Sequence, residues 1–505
     1  MLPARGLCLS LHPYRWSGDD RLGGEEAMAE SRRHDRTSAT PNPWLVVVLV
    51  LPFIAGYVAL FAYAMHNTSY DTWGALLVAP ILITISLPVL LRFAKSQPDD
   101  RIGTILTVAL ILKLAFSIPR YYMVTVLYES GDSLRYDAAG TAMRPYLLDL
   151  DFSVASLGNA GSGSGTRFIE VVTGIVYAII GPTFIGGFLV FSWLSFWGLF
   201  FFYRAFRAGV PDGNARRYAL LLFLLPSMLF WPSSIGKEAW MTLVLGITAY
   251  GSALLLTRQR GASIYLITGL VGVMLVRPHM ALLVIAGLAL GYVLRTAGAQ
   301  RAVALGRTRT LLGLGIIGLG TLLAIRRVSE FFGIDEFNLD AATETLEYAE
   351  GQTGQGGSAF VGGGPSLSNL PMNIVTVLFR PFAFEVNSLP TLIAALEGTM
   401  LMVLFILSLP RMRSVLGRLR KQPYITYCVT YVILFCFMFS AFQNFGILAR
   451  QRVLVFPLML VLFALPLKTQ VPRSTQQGHR PSRRSMRRQP SENTDLPSGV
   501  HPPRL

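Results

Sequence analysis

From residue 43 to residue 467 the chain alternates long apolar runs with short polar breaks. "WLVVVLVLPFIAGYVALFAYAM", "LLVAPILITISLPVLL" and "FIGGFLVFSWLSFWGLFFFY" are three of these runs. A helix needs about 20 mostly apolar residues to cross a bilayer. Runs of this kind recur too often to be the buried core of a soluble domain. The period-2 alternation of a membrane β-barrel is missing. The pattern predicts an all-α, polytopic transmembrane helical bundle. Spans are expected near 43–65, 75–95, 102–123, 185–206, 218–231, 238–257, 262–276, 278–294, 310–325, 388–409, 424–441 and 452–467, about twelve in all.

Residues 168–183 and 371–384 are also apolar, and charge decides how they are read. With the N-terminus inside, treating them as re-entrant or interfacial helices on the outer face places "RAGVPDGNARR", "TRQR", "RTAGAQRAVALGRTRT" and "RMRSVLGRLRK" in the cytoplasm. Lys and Arg accumulate on that side. A full span at 168–183 would move several of these basic loops outside. The consistent solution is a multi-pass protein of the cell membrane, with cytoplasmic N- and C-termini and outer loops near 124–184 and 326–387.

Residues 1–42 are polar, lack the apolar core of a signal peptide, and are expected to be a disordered tail. Translation could begin at Met1 or at Met28. Residues 468–505 are rich in Pro, Ser and Arg and predict a second, basic disordered tail.

Composition supports this frame. The chain is 52% hydrophobic and only 14% charged, against about a quarter charged in soluble proteins. Its net charge of +16 would suit nucleic acid, but much of the excess lies in short loops and the C-terminal tail. There it reports orientation, so no nucleic-acid partner is expected. Of the three cysteines, Cys8 lies in the tail. Cys428 and Cys436 share one predicted helix about 12 Å apart, too far for a disulfide. No zinc or haem spacing is present, and no metal ligands are assigned.

The same orientation gathers the remaining polar stretches on the outer side. "YESGDSLRYDAAG" carries Glu129, Asp132 and Asp137. Asp132, in a Gly-flanked loop at a membrane mouth, could accept a proton from a sugar hydroxyl. It could equally cap a helix starting there. Glu129 and Asp137 are further candidates for the acid. "WPSSIGKEAW" places Lys237 and Glu238 in a first helical turn, where an acid suits the dipole and a lysine opposes it unless an anion binds. "VRPHM" leaves Arg277 and His279 between two short helices, as a snorkelling turn or a ligand pair. Arg380 in "LFRPFAFE", and Arg450 and Arg452 in "NFGILARQR", add guanidiniums on a face where positive charge is normally avoided. Arginine forks bind phosphate oxygens bidentately. Lys113 and Glu397 fall near mid-membrane, where ionisable groups are costly, and could pair. The loop 326–370 is acidic and helical in its first half. Its second half is Gly-rich, without a Walker pattern, and reads as disorder or a substrate lid.

Taken together, a Gly-Asp pair in the first large outer loop, an early outer Lys-Glu and arginines before later spans resemble bacterial membrane glycosyltransferases of the GT-C type. They also resemble the O-antigen and exopolysaccharide polymerases that share their logic. The resemblance covers most of residues 43–467. The Asp-x-Asp of several such families is absent, and Glu129-Ser-Gly-Asp132 is the nearest match. The resemblance implies transfer or polymerisation of a glycan from a polyprenyl-phosphate or pyrophosphate-linked donor to a hydroxyl on a glycan, lipid or protein acceptor. Asp132 would be the acid, and Lys237, Arg277, Arg380, Arg450 and Arg452 would hold phosphates. No nucleotide site is needed, and dependence on a divalent cation stays open. A secondary transporter or a lipid-linked-sugar flippase is the rival reading, since about twelve spans also suit that class. "PDDRIG" resembles one loop of major-facilitator proteins, but its flanking Gly and following basic pair are missing.

Overall fold

The structure is a computed structural model that describes residues 43–129, 131–153, 164–297, 305–333, 339–353, 359–360, 362, 364–386 and 388–467. The two expected tails, 1–42 and 468–505, lie outside the described residues, as does part of the 326–370 loop. Every extended element described is helical, apart from one isolated bridge between Ala359 and Asn444.

The chain opens with α1 (Pro43–Asn67), α2 (Tyr70–Lys95) and α3 (Arg101–Ala115). The last continues through α4 (Ser117–Tyr122) into a π-helical turn, Met123–Leu127. Next come α5 (Asp132–Leu148), α6 (Ser164–Ile180), α7 (Phe184–Gly209), α8 (Ala215–Leu224), α9 (Pro226–Phe230) and α10 (Lys237–Leu256). They are followed by α11 (Ala262–Val276), α12 (Pro278–Ala297), α13 (Leu305–Phe332), α14 (Leu339–Thr353) and α15 (Leu370–Phe379). The chain closes with α16 (Leu389–Met412), α17 (Val415–Arg418), α18 (Pro423–Phe439), α19 (Phe445–Gln451) and α20 (Phe456–Phe463).

Among the described residues, seven helices are long and apolar enough to cross a membrane, or eight if the pair Phe445–Leu454 and Phe456–Phe463, bent by 65°, counts as one span. The expected twelve full-length spans are therefore not found among the described residues; the first, at 43–65, is α1, a 25-residue helix that is not one of the seven. The span expected at 218–231 breaks between α8 and α9, because Pro226 supplies no N–H and forces Leu225 into an extended conformation, ψ 125°. Those expected at 262–276 and 424–441 are short apolar helices of 15 and 17 residues. The last, at 452–467, lies in the bent pair.

Packing centres on α10, which lies against α7 and α11. Gly198 of α7 and Gly246 of α10 make the first contact possible: a Cβ on Gly246 would lie 2.1 Å from the Gly198 carbonyl oxygen. Small residues at a crossing let two membrane helices approach closely. The hairpin of α5 and α6 lies across one end of this bundle. At one end of α6, Gly165 meets the Val276 carbonyl. At the other, the Ile180 carbonyl accepts the Tyr70 hydroxyl. The expected interfacial helix at 168–183 corresponds to α6, which is not among the long apolar helices. The basic turns cluster at the opposite end, where Arg418 pairs with Asp212 at 2.5 Å, Asn214 N–H donates to Ala464 at 2.8 Å, and Arg295 donates to the Leu255 carbonyl at 2.7 Å.

The suggested Lys113–Glu397 pair does not form. The two charges instead hold opposite ends of α9. Glu397 accepts the Ser227 backbone N–H at 2.7 Å and also the Ser227 hydroxyl. The Lys113 ammonium donates to the Met228 carbonyl at 2.6 Å and the Leu229 carbonyl at 3.3 Å. An anion at the amino end and a cation at the carboxyl end complement the helix dipole. Both groups also satisfy backbone atoms left unpaired where the helix breaks. Without them the Ser227 N–H and the Met228 carbonyl would face an apolar interior unpaired.

Lys113→Met strands the buried Met228 carbonyl, while Leu229 keeps the Ser233 hydroxyl, and is expected to lower the unfolding midpoint in detergent by the equivalent of about 1–3 kcal/mol. Glu397→Gln, which keeps an acceptor for Ser227, should lose less than Glu397→Ala. Equal midpoints across all three variants and the wild type would show that α9 does not need its clamp.

Candidate functional site

Past α9 the chain runs through Trp231 to Gly236 and enters α10 at Lys237. No side chain caps that helix start. Its first-turn acid, Glu238, is buried, with 7% of its side chain exposed. The carboxylate Oε1 accepts from Arg277 at 3.0 Å and from Arg450 at 2.8 Å. Arg277 sits at the corner between α11 and α12, and Arg450 lies on α19. Arg277 also donates to the Gln451 side chain. Arg450 reaches further, donating from Nη2 to Asp132 Oδ2 at 3.2 Å. Asp132 is thus joined to Glu238 through one guanidinium.

The two ends of that chain differ in strength. Separating a buried ion pair leaves an uncompensated charge and costs about 3–5 kcal/mol. The Asp132–Arg450 contact has 54% of the Asp132 side chain exposed, so it contributes at most about 1 kcal/mol. Glu238 therefore holds Arg450 in place, while Asp132 is free to exchange its partner. Of the two readings of Asp132, the helix cap is corrected: Gly131 occupies the cap position, and Asp132 is the first residue of α5. Ser133 anchors that turn by donating to the Ile235 carbonyl at 2.8 Å.

Around this pair lies a cavity of about 490 Å³, whose wall includes Arg120, Asp132, Trp231, Glu238, Asn444 and Arg450. The volume suits a small-molecule or headgroup ligand. Arg120 was not singled out by the sequence reading. It is only 8% exposed, its guanidinium lies 5.1 Å from the Trp231 ring and 5.4 Å from that of Phe230, and its Nη1 reaches the Met123 sulfur at 3.6 Å. No ion pair closes on it among the described residues, and its buried Nε has no hydrogen-bond partner. A signal for it existed. Arg120 follows Lys113 by seven residues, two helical turns, which places both on one face. Lys113 and Arg120 meet successive parts of the same segment, 228–231.

The other candidates divide. Lys237 precedes Glu238 and is half-buried beside the cavity wall. Arg277 lies behind Glu238 and is buried. Glu129 is exposed in a left-handed turn, φ 45°, next to the cavity-lining Tyr128. His279 packs its ring against Phe331 and Phe332, with centroids 6.1 and 5.9 Å away, and does not line the cavity. Arg380 is committed nearby: its Nε lies 3.0 and 3.1 Å from the two Glu385 oxygens, and its guanidinium stacks 4.5 Å from the Phe360 ring. Burial pushes the Glu385 carboxyl up, but the Arg380 hydrogen bond and the Phe382 N–H outweigh it and hold it below the usual range. Arg452 is 1% exposed and donates to the Arg380 carbonyl at 2.8 Å and the Leu378 carbonyl at 3.3 Å. Neither Arg380 nor Arg452 lines the cavity. Both brace the segment beneath it.

Asp137 also turns away from the cavity. Its Oδ1 accepts the Tyr177 hydroxyl at 2.5 Å, inside the α5–α6 hairpin. Burial pushes its carboxyl above the usual 3.8, and the Tyr177 hydrogen bond only partly opposes this. No family model, curated protein or solved structure matches this chain.

The raised Asp137 carboxyl has a stability consequence. An acid whose folded-state pKa exceeds its unfolded value imposes a penalty that is absent below the unfolded pKa and complete above the folded one. Asp137→Asn keeps an acceptor for Tyr177 and removes that penalty. Its unfolding midpoint is therefore expected to equal or exceed wild type at pH 7, with the difference vanishing as pH falls towards 3.8. A lower midpoint at pH 7 would show that the charge itself is needed.

Proposed function

We propose that this chain transfers a glycan from a polyprenyl-phosphate or pyrophosphate-linked donor to a hydroxyl of a glycan, lipid or protein acceptor at the outer face of the membrane. One observation carries the reading: an accessible carboxylate, Asp132, and guanidinium groups face a common cavity at the end of a helical membrane bundle away from the basic turns. Basic turns favour the cytoplasmic side, which puts the cavity outside. In the full topology proposed, about twelve crossings, some bent or short, leave both termini cytoplasmic.

In this mechanism Asp132 takes the proton of the acceptor hydroxyl. The acceptor oxygen then bonds to the anomeric carbon as the carbon–oxygen bond to phosphate breaks. The bond pair leaves with the lipid phosphate, whose growing charge Arg450 and Lys237 stabilise. Glu238 is a positioning residue, since it acts through Arg450, and Arg277 and Gln451 fix Glu238 in turn. The weak Asp132–Arg450 contact fits this role. A base held by a strong pair would be too acidic and too immobile to work.

The test uses the full chain in proteoliposomes with a polyprenyl-linked sugar donor and no ion gradient. Asp132→Asn should lower the transfer rate by about 10²–10⁴-fold with the protein still folded. Glu129→Gln, outside the cavity wall, should change it little. Full activity in Asp132→Asn would remove the proposed base. Solute movement along an imposed gradient, without consumption of donor, would favour a transporter instead.

A further inference from the structure

The ion-pair network leaves cations over. Two carboxylates, Asp132 and Glu238, stand against Arg120, Lys237, Arg277 and Arg450. Glu238 is shared by Arg277 and Arg450, and Asp132 takes only Arg450. Arg120 has no carboxylate, although it is one of the most buried of the four and lies in Arg101–Leu127, a stretch long and apolar enough to span the membrane. A cationic side chain inside such a stretch is costly and ordinarily pairs or faces a ligand path. Stacking on Trp231 and Phe230 recovers part of that cost, about 2 kcal/mol or more for a desolvated cation. It leaves the buried Nε without an acceptor and Nη1 with only the Met123 sulfur.

The geometry points to Arg120 as the seat of a phosphoryl group. The amino end of α10 supplies the second half of the seat. Ser234, Ile235 and Gly236 lead into that 20-residue helix and line the same cavity as Arg120, and no side chain caps it. A helix amino terminus facing a cavity that also holds an unpaired guanidinium is suited to phosphate oxygens. A Cβ on Gly236 would come into ordinary contact with Glu238 Oε2 at 3.5 Å, so the glycine keeps this edge of the cavity free of a side chain.

The wall that carries Arg120 favours a lipid as the source of the phosphate. Val124 and Tyr128 continue the cavity lining along the π-helical turn. On the same segment Ile118, Tyr122, Val126 and Leu127 are 65%, 54%, 50% and 63% exposed. A phosphoryl group at Arg120 therefore lies one helix thickness from an apolar, membrane-facing surface along which an isoprenoid chain can run. The lipid part of this assignment rests on the transferase reading, whereas the phosphoryl seat does not.

The experiment uses the full-length protein with two probes. One is inorganic pyrophosphate added in detergent, and the other is polyprenyl phosphate incorporated in nanodiscs. Both are expected to raise the wild-type unfolding midpoint and to bind in calorimetry. Arg120→Met should weaken both by about 10- to 100-fold, the loss of one or two charge-assisted hydrogen bonds. Arg120→Lys should weaken them less. Without probe, Arg120→Met should unfold no earlier than wild type, because it removes a buried unpaired cation. A purely structural Arg120 would lower that midpoint and leave binding unchanged, which overturns the seat. Failure of both probes to bind wild type overturns it as well. Pyrophosphate binding without polyprenyl phosphate binding keeps the seat and overturns the lipid source. Arg120-dependent binding in a protein that transfers no glycan keeps the seat and sinks the transferase. Transfer at an unchanged KM in Arg120→Met does the reverse.

Discussion

The Glu238 carboxylate is the constraint on which the polar end of this molecule depends. A buried acid must be met by cations and hydrogen bonds or it will not ionise. Glu238 is met by Arg277 from the α11–α12 corner and by Arg450 from α19. Three parts of the chain, more than two hundred residues apart at the extremes, therefore meet at one carboxylate oxygen, Glu238 Oε1. Arg450 then extends the lock to Asp132 at the start of α5. If Glu238 were neutral or absent, Arg277 would be left buried without a counter-charge, and Arg450 would keep only the exposed Asp132.

A second constraint sits below the first. The entry to α10 can reach the cavity because the preceding crossing is broken at Leu225–Pro226, and the short helix that follows is held at both ends by charge. Glu397 and Lys113 act on the backbone, so they fix where α9 lies. Trp231 and the serines after it follow from that placement. Arg380, Glu385 and Arg452 form a further brace under α19. The site therefore stands on three separate uses of buried charge, and in the one facing the cavity Arg120 meets no carboxylate among the described residues.

How much of this was legible in the sequence depends on the range of each interaction. The helical membrane class was legible because it follows from run length alone. The gathering of Asp132, Lys237, Arg277 and Arg450 at one end follows from the placement of basic turns. The partners were not legible. Asp132 and Arg450 are 318 residues apart, and nothing local to either names the other. Lys113 and Glu397 show why a guess based on opposite charge fails: at a broken helix, backbone N–H and carbonyl groups compete for the same charges, and here they win. Arg380 pairs locally instead of lining the cavity. Its partner Glu385 lies five residues on, within "RPFAFE", and a local pair of that kind is the simpler use of an arginine than a bound anion. The count of spans went astray at prolines and bends, where an apolar run continues while the helix does not.

Arg120 shows what a stability argument alone leaves unexplained. Arg277 and Arg450 meet a carboxylate and Lys113 meets backbone carbonyls, so the fold has the means to satisfy such groups. Replacing Arg120 with an apolar residue of similar length would preserve its packing on Trp231 and Phe230 and remove a desolvated charge. By packing and charge alone, methionine there should be at least as stable. A guanidinium kept at that position, against that preference and beside the uncapped start of α10, is explained if its counter-charge arrives with a ligand. The same reasoning accounts for the weak hold on Asp132. A site that binds an anion and moves a proton needs one cation waiting for its partner and one acid able to leave its own.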